Sequence, residues 1–122
     1  MFEAVESPIS MTAGAAIAIA RFVKMSGAKV IQCAADTDDA VGVSMEPAAA
    51  DLDRIAVAKY NGCKTEVTAG AAIVAGVPVA SDATGRAVTA VTGDRILGYA
   101  QTATAAAGEV VTVLLVKGGM VI

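Results

Sequence analysis

The side chains that could do chemistry in this chain are few and widely spaced. Its 122 residues contain no histidine, which removes the commonest general base, the Ser-His and Cys-His nucleophile pairs and the commonest metal ligand. None of the twelve glycines falls in a GxxxxGK[ST] or GxGxxG phosphate-binding pattern. Cys33 and Cys63 form no metal or redox spacing, and we expect both to be free thiols in a reducing compartment.

The densest acidic run, Asp36–Asp39, is of the kind that binds Ca²⁺ or Mg²⁺. It lacks the glycine and the distal glutamate of a calcium loop, and in a second copy of the pattern Arg95 replaces an acid. A turn is therefore the better interpretation. Glu46, Asp51 and Asp53 could pair for glycoside hydrolysis, but they fit a surface role better. We predict a protein that is not an enzyme, with no cofactor and no metal.

Lys24 has the one neighbourhood that suggests a covalent modification. The segment Phe22–Met25 (FVKM) resembles the lysine-methionine motif of biotinyl carrier domains, which present their lysine at an exposed hairpin tip, usually between two methionines. Val23 stands where the first methionine would be, and Lys24 lies within a predicted strand. A solvated strand lysine is the favoured interpretation, and a biotinyl-type carrier domain stays as an alternative.

Composition and charge exclude several classes of partner. The net charge is −3 and the basic residues are scattered, so no nucleic-acid groove is expected. The longest uncharged stretch, 67–81, is shorter than the roughly 20 residues of a membrane span, and the acidic N-terminus is not that of a secretion signal. The apolar content is mostly alanine and the aromatic content is 3%, so assembly with copies of itself or a larger surface would add stability.

An internal duplication is the most informative feature. The hexapeptide TAGAAI begins at Thr12 and again at Thr68, an offset of 56. The same offset aligns Gly42 with Gly98 and Val57 with Val113, among other matches. We therefore predict two tandem repeats, residues 12–67 and 68–122, which share one β domain, preceded by an N-terminal arm of residues 1–11.

The repeats also predict the type of secondary structure. Residues 12–25 are alanine-rich and could be helical, but their partner segment contains Gly76 and Pro78, which disfavour a helix. Both segments are therefore predicted to be strands. Further strands are expected at 41–45, 54–60, 97–101 and 110–116, the last buried on both faces, with Asn61-Gly62 turning the chain into a return strand at 63–68. The clusters EPAAADLD and TATAAAGE could each form a single helical turn. The fold class is all-β, a small barrel or sandwich of about 8–10 short strands.

Two long phrases carry a resemblance to a known family. AVGVSMEPAAADLDRIAVAKYNG (40–62) is echoed by ILGYAQTATAAAGEVVTVLLVKG (96–118). Each combines a short hydrophobic-Gly-hydrophobic strand, an alanine-rich loop ending near an acid, and an apolar strand. In this the chain resembles the capsid decoration (cement) proteins of tailed bacteriophages, in particular the small β-rich type with a tulip-like or barrel-like fold.

The resemblance implies a structural role on the virion. Such a protein is made in the host bacterial cytoplasm, binds the outer face of an icosahedral shell, often as a homotrimer, and stabilises contacts between major capsid subunits. The apolar points of the arm, Phe2, Val5, Ile9 and Met11, are the candidate capsid-binding residues, although a disordered terminus fits equally well. The other alternative is a subunit of a different phage or cellular assembly, such as a head fibre base or a tail component.

Overall fold

The chain is all-β, as the sequence predicted, and ten of its strands form two five-stranded antiparallel sheets. The fold is that of a computed structural model, which describes residues 9–60 and 64–121. The first sheet contains β1 (Ile9–Thr12), β2 (Phe22–Ser26), β3 (Lys29–Gln32), β4 (Gly42–Ser44) and β5 (Arg54–Lys59). The second contains β6 (Lys64–Thr68), β7 (Pro78–Ser81), β8 (Ala87–Thr89), β10 (Gly98–Ala100) and β11 (Val110–Leu114). Two short strands, β9 (Arg95–Ile96) and β12 (Gly119–Met120), pair with each other.

The two sheets have the same topology. Their strand orders are β1-β5-β4-β2-β3 and β6-β11-β10-β7-β8, so each strand of the first sheet has a counterpart in the second. Each sheet curls until its two edges meet, through a parallel bridge from Ala13 to Val30 in one and from Ala69 to Ala87 in the other. Each half of the chain is therefore a small five-stranded curled sheet that approaches a barrel.

Two groups of buried side chains form the core. The first lies within the first half and is built from Ala13, Ile17, Val23, Val30, Ala48, Ile55 and Val57. The second joins the halves, because it combines Phe22, Val43 and Ala58 of the first sheet with the apolar side chains of the second. Neighbouring residues of β2, Phe22 and Val23, thus face different cores, as alternation along a strand requires. The first sheet is consequently covered on both faces.

Each sheet has one glycine at a point where two strands are unusually close. A Cβ at Gly42 would lie 2.6 Å from Cγ1 of Val57 and would also meet the carbonyl oxygen of Ala58. A Cβ at Gly98 would lie 2.6 Å from Cγ1 of Val113 and 2.5 Å from the Leu114 oxygen. Both positions therefore require a residue without a side chain.

The sequence predicted that a hairpin at Asn61-Gly62 would pair strand 63–68 with the strand before it, and this pairing is wrong. Residues 61–63 themselves lie outside the described residues. β5 pairs with β1 on one edge and β4 on the other, so it has no free edge for a return strand. β6 instead pairs with β11 in the second sheet. The change of sheet falls between Lys59 and Lys64, earlier than the predicted repeat boundary at 67–68.

The alanine-rich segments are not helical, but neither are they strands along their whole length. Regular pairing stops at Thr12 and resumes at Phe22 in the first half. Between them, beyond the bridge of Ala13 that closes the sheet, Ile17 forms a single bridge to Ala48. The second half repeats this with a bridge from Ile73 to Thr104. Left-handed backbone at Ala20 (φ 60°) and Gly76 (φ 92°) bends each segment shortly before its strand begins.

Three smaller predictions also differ from the structure. β11 is not buried on both faces: Val111 and Val113 are buried while Val110 is 50% exposed, because only one face meets the core. The clusters EPAAADLD and TATAAAGE form turns and bends rather than helical turns. The predicted arm is shorter than expected, since Ile9–Thr12 is an edge strand paired with β5; residues 1–8 lie outside the described residues.

Candidate assembly surfaces

Two pairs of alanine-rich loops lie at equivalent places on the two sheets. The first loop pair consists of residues 13–21 and 45–53, which connect β1 to β2 and β4 to β5. The second loop pair consists of residues 69–77 and 101–109, which connect β6 to β7 and β10 to β11. Most of their small side chains are exposed, so these loops offer main chain and alanine to a neighbouring surface.

Hydrogen bonds hold the two loops of each pair side by side. In the first pair Ile17 N donates to Ala48 O and Ala48 N to Ile17 O, both at 2.9 Å. An acid closes the end of the loop: the Asp53 carboxylate accepts from the backbone nitrogens of Ala49 (2.8 Å) and Ala50 (3.2 Å). In the second pair the corresponding bonds join Ile73 to Thr104, and the Glu109 carboxylate accepts from Ala105 N at 2.8 Å. These contacts fix loops that contain little apolar core of their own.

The two loop pairs differ in how their backbone geometry is satisfied. The second has glycine at its two left-handed positions, Gly76 and Gly108, both at φ 92°. The first has Ala20 (φ 60°) and Leu52 (φ 75°) at the same places. A left-handed conformation costs a residue with a side chain about 1–2 kcal/mol, so the first loop pair contains strain that the second avoids.

The two loop pairs also differ in the large apolar side chains that they expose. The first loop pair exposes three large apolar side chains: Ile19 (54%), Met45 (38%) and Leu52 (66%). Their equivalents at the offset of 56 are small or polar: Ala75, Gln101 and Gly108. The second pair exposes one large apolar side chain, Val74, and is uncharged from 69 to 77 and from 101 to 108. In the sequence, the one signal of this difference is that the offset of 56 sets Leu52 opposite a glycine, Gly108.

The structure describes two of the four predicted capsid-binding residues, Ile9 and Met11, and places neither of them in these loops. Ile9 and Met11 lie on β1, partly buried and packed against the first core. Phe2 and Val5 lie outside the described residues. The main chain of Ile9 and Met11 pairs with Val57 and Ile55 of β5, so these two side chains belong to the folded domain as well as to any surface that the N-terminus forms.

The acidic run forms a turn. Asp38 accepts hydrogen bonds from Ala34 N (2.7 Å), Ala35 N (3.0 Å) and Lys24 Nζ (2.9 Å). Burial alone would raise the pKa of Asp38, but these donors outweigh it and hold the pKa below its usual value. Within residues 9–60 and 64–121 no group of three or more His, Cys, Asp or Glu side chains is arranged to hold a metal ion.

A second acidic contact crosses between the two halves. The pKa of Asp36 is raised because its protonated carboxyl can donate a hydrogen bond to the Asp94 carboxylate, and because the negative charge of Asp94 disfavours ionised Asp36. The main chain is joined at the same place, because Arg95 N donates to Asp36 O at 2.9 Å. The two acids border an open cleft of about 470 Å³ that both halves line.

Lys24 and Cys33 occupy structural positions. Lys24 lies on β2, paired opposite Ile31 and bound to Asp38, and its side chain is 28% exposed; a carrier lysine needs an exposed hairpin tip. Cys33 is a buried free thiol, and burial raises its pKa to about 12. Cys63 lies outside the described residues.

Several contacts fix the two halves against each other. Arg21 Nη1 and Gln32 Nε2 both donate to the carbonyl oxygen of Thr84, at 2.9 and 2.8 Å. Lys117 Nζ of the second half pairs with Asp39 of the first at 2.8 Å and lies 5.0 Å from the centre of the Tyr60 ring. Together with the shared core, these contacts position both loop pairs on one body. None of the described residues forms a helix that could cross a membrane.

Comparison with known proteins agrees with this structural picture. The family model for phage cement proteins matches residues 5–115 of the chain. Among solved structures, the N base of the head fibre protein gp8.5 of bacteriophage phi29 superposes with a TM-score of 0.71 at 19% sequence identity. The match covers 93% of this chain and 97% of that one, and at this identity it shows a shared fold. No curated protein matched the sequence.

Proposed function

The chain belongs to the phage cement protein family, and on that premise we propose that it binds the outer surface of an icosahedral phage head and stabilises contacts between major capsid subunits. The observation that carries the proposal is the family match over residues 5–115, nearly the whole chain. A non-enzymatic role accords with that family and with a sequence that has no histidine.

The physical properties of the chain suit a protein that binds a shell. Loops made of alanine and glycine let main chain approach a partner closely, and their hydrogen bonds keep them in place without the partner. Weak contacts of this kind become strong when many copies bind one symmetric lattice. A net charge of −3 gives the protein no attraction to packaged DNA.

The finer parts of the proposal concern assembly. We propose that the chain self-associates, with a trimer favoured, and that Phe2, Val5, Ile9 and Met11 contribute to capsid binding. The equal topology of the two sheets supports a tandem duplication as their origin. Sedimentation velocity of the purified protein tests the trimer, since a single monomeric species across micromolar concentrations would contradict it.

A head fibre base is the second candidate. It is favoured by the similarity in fold to the gp8.5 N base, which covers 97% of that chain. In that role the chain would attach a further fibre segment to the head, whereas a cement protein needs only the shell. Imaging of decorated heads separates the two, because a fibre base would bind as isolated projections that carry additional density.

The deciding experiment is co-sedimentation with heads of the source phage that were assembled without this protein, followed by imaging of the pellet. Saturable binding at fixed lattice positions on the outside of the shell is the expected result. The absence of binding across a range of salt concentrations would remove both the cement and the fibre-base proposals.

A further inference from the structure

Leu52 has a conformation that is unfavourable for the isolated protein. Its backbone is left-handed (φ 75°) and its side chain is 66% exposed, so it is strained and buries little apolar area within the chain. Its equivalent, Gly108, has the same hydrogen bond to the preceding loop: Leu52 N donates to Ala13 O at 2.8 Å and Gly108 N to Ala69 O at 2.9 Å. The fold therefore accepts glycine at this place, and the leucine needs another explanation.

The same contrast occurs at the other end of the first loop pair. Ile19, 54% exposed, precedes the left-handed Ala20, whose nitrogen donates to Ser44 O. In the second half the corresponding residues are Ala75 and Gly76. A large apolar side chain thus stands at or directly before each left-handed position of the first loop pair and at neither of these places in the second, whose exposed large apolar side chain is Val74.

We propose that the first loop pair is the shell-docking surface of this protein, with Leu52 as the anchor that enters an apolar pocket on the head. The inference rests on the proposed function and specifies where on the chain it is carried out. A partner that covers the exposed leucine disrupts no contact within the chain. Apolar side chains that fill a partner's pocket provide much of the binding free energy of an interface.

Charge indicates the chemistry of that pocket and argues against a second copy as the occupant. The first loop pair carries three acids, Glu46, Asp51 and Asp53, and one basic residue, Arg21, which is bound to the second half. Lys29 of β3 pairs with Asp51 at 3.0 Å and adds a second positive charge, so the surface remains acidic by one charge. Two copies joined through this surface would bring like charges together. The complementary partner is an apolar pocket with neutral or basic side chains at its rim.

The test compares four proteins for binding to heads assembled without this chain, with thermal unfolding of each protein measured alongside. Leu52→Asn removes the apolar side chain but keeps a residue that tolerates left-handed backbone. Leu52→Met keeps an apolar side chain of similar volume. Gly108→Leu adds the same side chain at the equivalent place on the second loop pair, where no atom lies within 4 Å of the added Cβ.

We expect Leu52→Asn to weaken binding at least about tenfold, as loss of an anchor does, with an unchanged or raised Tm. Leu52→Met should bind within about threefold of the unmodified protein, and Gly108→Leu should lower the Tm without strengthening binding. Equal binding by Leu52→Asn and the unmodified protein, or a fall in Tm of more than about 5 °C in Leu52→Asn, overturns the assignment of Leu52.

The outcomes separate this inference from the function on which it rests. If the unmodified protein does not bind heads, the proposed function fails and the docking surface fails with it. If the unmodified protein binds and Leu52→Asn binds equally well, only the docking surface is wrong. If Leu52→Asn instead dissociates an oligomer of the free protein, as seen by sedimentation velocity, the occupant is a second copy and the inference is overturned.

Discussion

Substitution of Gly42 or Gly98 by alanine should destabilise the protein strongly and by similar amounts. The new Cβ would lie 2.6 Å from a valine methyl group of the adjacent strand, whereas ordinary contact begins at 3.4 Å. The strands would have to separate by about 0.8 Å at that point. The carbonyl oxygen that the new Cβ would also meet belongs to the residue that follows the valine on the same strand, which is main chain paired in the sheet. The strain therefore has no flexible side chain to absorb it.

The expected cost is about 3 kcal/mol, the upper part of the range for overpacked sites. With an unfolding entropy of about 2.1 cal/mol/K per residue, a chain of 122 residues loses about 12 °C in Tm for that change. Both variants should remain folded at 25 °C, because domains of this size have about 5–15 kcal/mol of stability.

Thermal unfolding followed by circular dichroism is the assay, and Gly76→Ala is the matched control. No atom lies within 4 Å of a Cβ at Gly76, so only its left-handed backbone is penalised, at about 1 kcal/mol or about 4 °C. A loss of less than about 4 °C in Gly42→Ala would refute the close-approach argument. A large loss at one glycine and none at the other would refute the structural equivalence of the two sheets.

Three further predictions concern titratable groups. Asp38 has a lowered pKa, so its stabilisation is present above its unfolded pKa and is lost as pH falls through the folded value. Asp38→Asn should therefore cost about 1–2 kcal/mol at pH 7, and the difference in Tm from the unmodified protein should shrink as the pH falls below about 4. Asp36 has a raised pKa beside Asp94, so its favourable contribution to stability is complete at low pH and is lost as pH rises through the folded value. Asp36→Asn should therefore raise the Tm at pH 7. Equal Tm values of the variant and the unmodified protein at pH 7 would contradict this prediction. Cys33, with a pKa of about 12, should stay unmodified by iodoacetamide at pH 8 and react in urea, as peptide mass spectrometry would show.

The sequence predicted the β class because the second copy of its repeated pattern resolves an ambiguity in the first. Residues 12–25 alone are compatible with a helix, and only the presence of Gly76 and Pro78 in the second copy argued against it. The positions of β4 and β10 followed from short runs around Gly42 and Gly98. These features are local, and local patterns determine the type of an element more reliably than its pairing.

Strand pairing was beyond the reach of local patterns. Asn61-Gly62 has the chemistry of a two-residue hairpin, yet β5 is already paired on both edges. That result depends on β1, which lies over forty residues earlier in the chain and was assigned to an arm. The burial of Val110–Val116 was overestimated for a related reason, since a continuous apolar run does not show which of its faces meets a core.

The candidate docking surface shows why a repeated fold helps to separate structure from function. Where the two halves have the same requirement, they keep the same solution: glycine at 42 and 98, isoleucine at 17 and 73, and an acid that closes the loop at 53 and 109. These residues are explained by contacts inside the chain. Leu52 and Gly108 both have left-handed backbone and donate the equivalent backbone hydrogen bond. Only Leu52 has a side chain, and the fold does not require that side chain. A departure of this kind, made at a cost in backbone strain and in exposed apolar surface, is the expected mark of a residue whose contacts lie on another molecule.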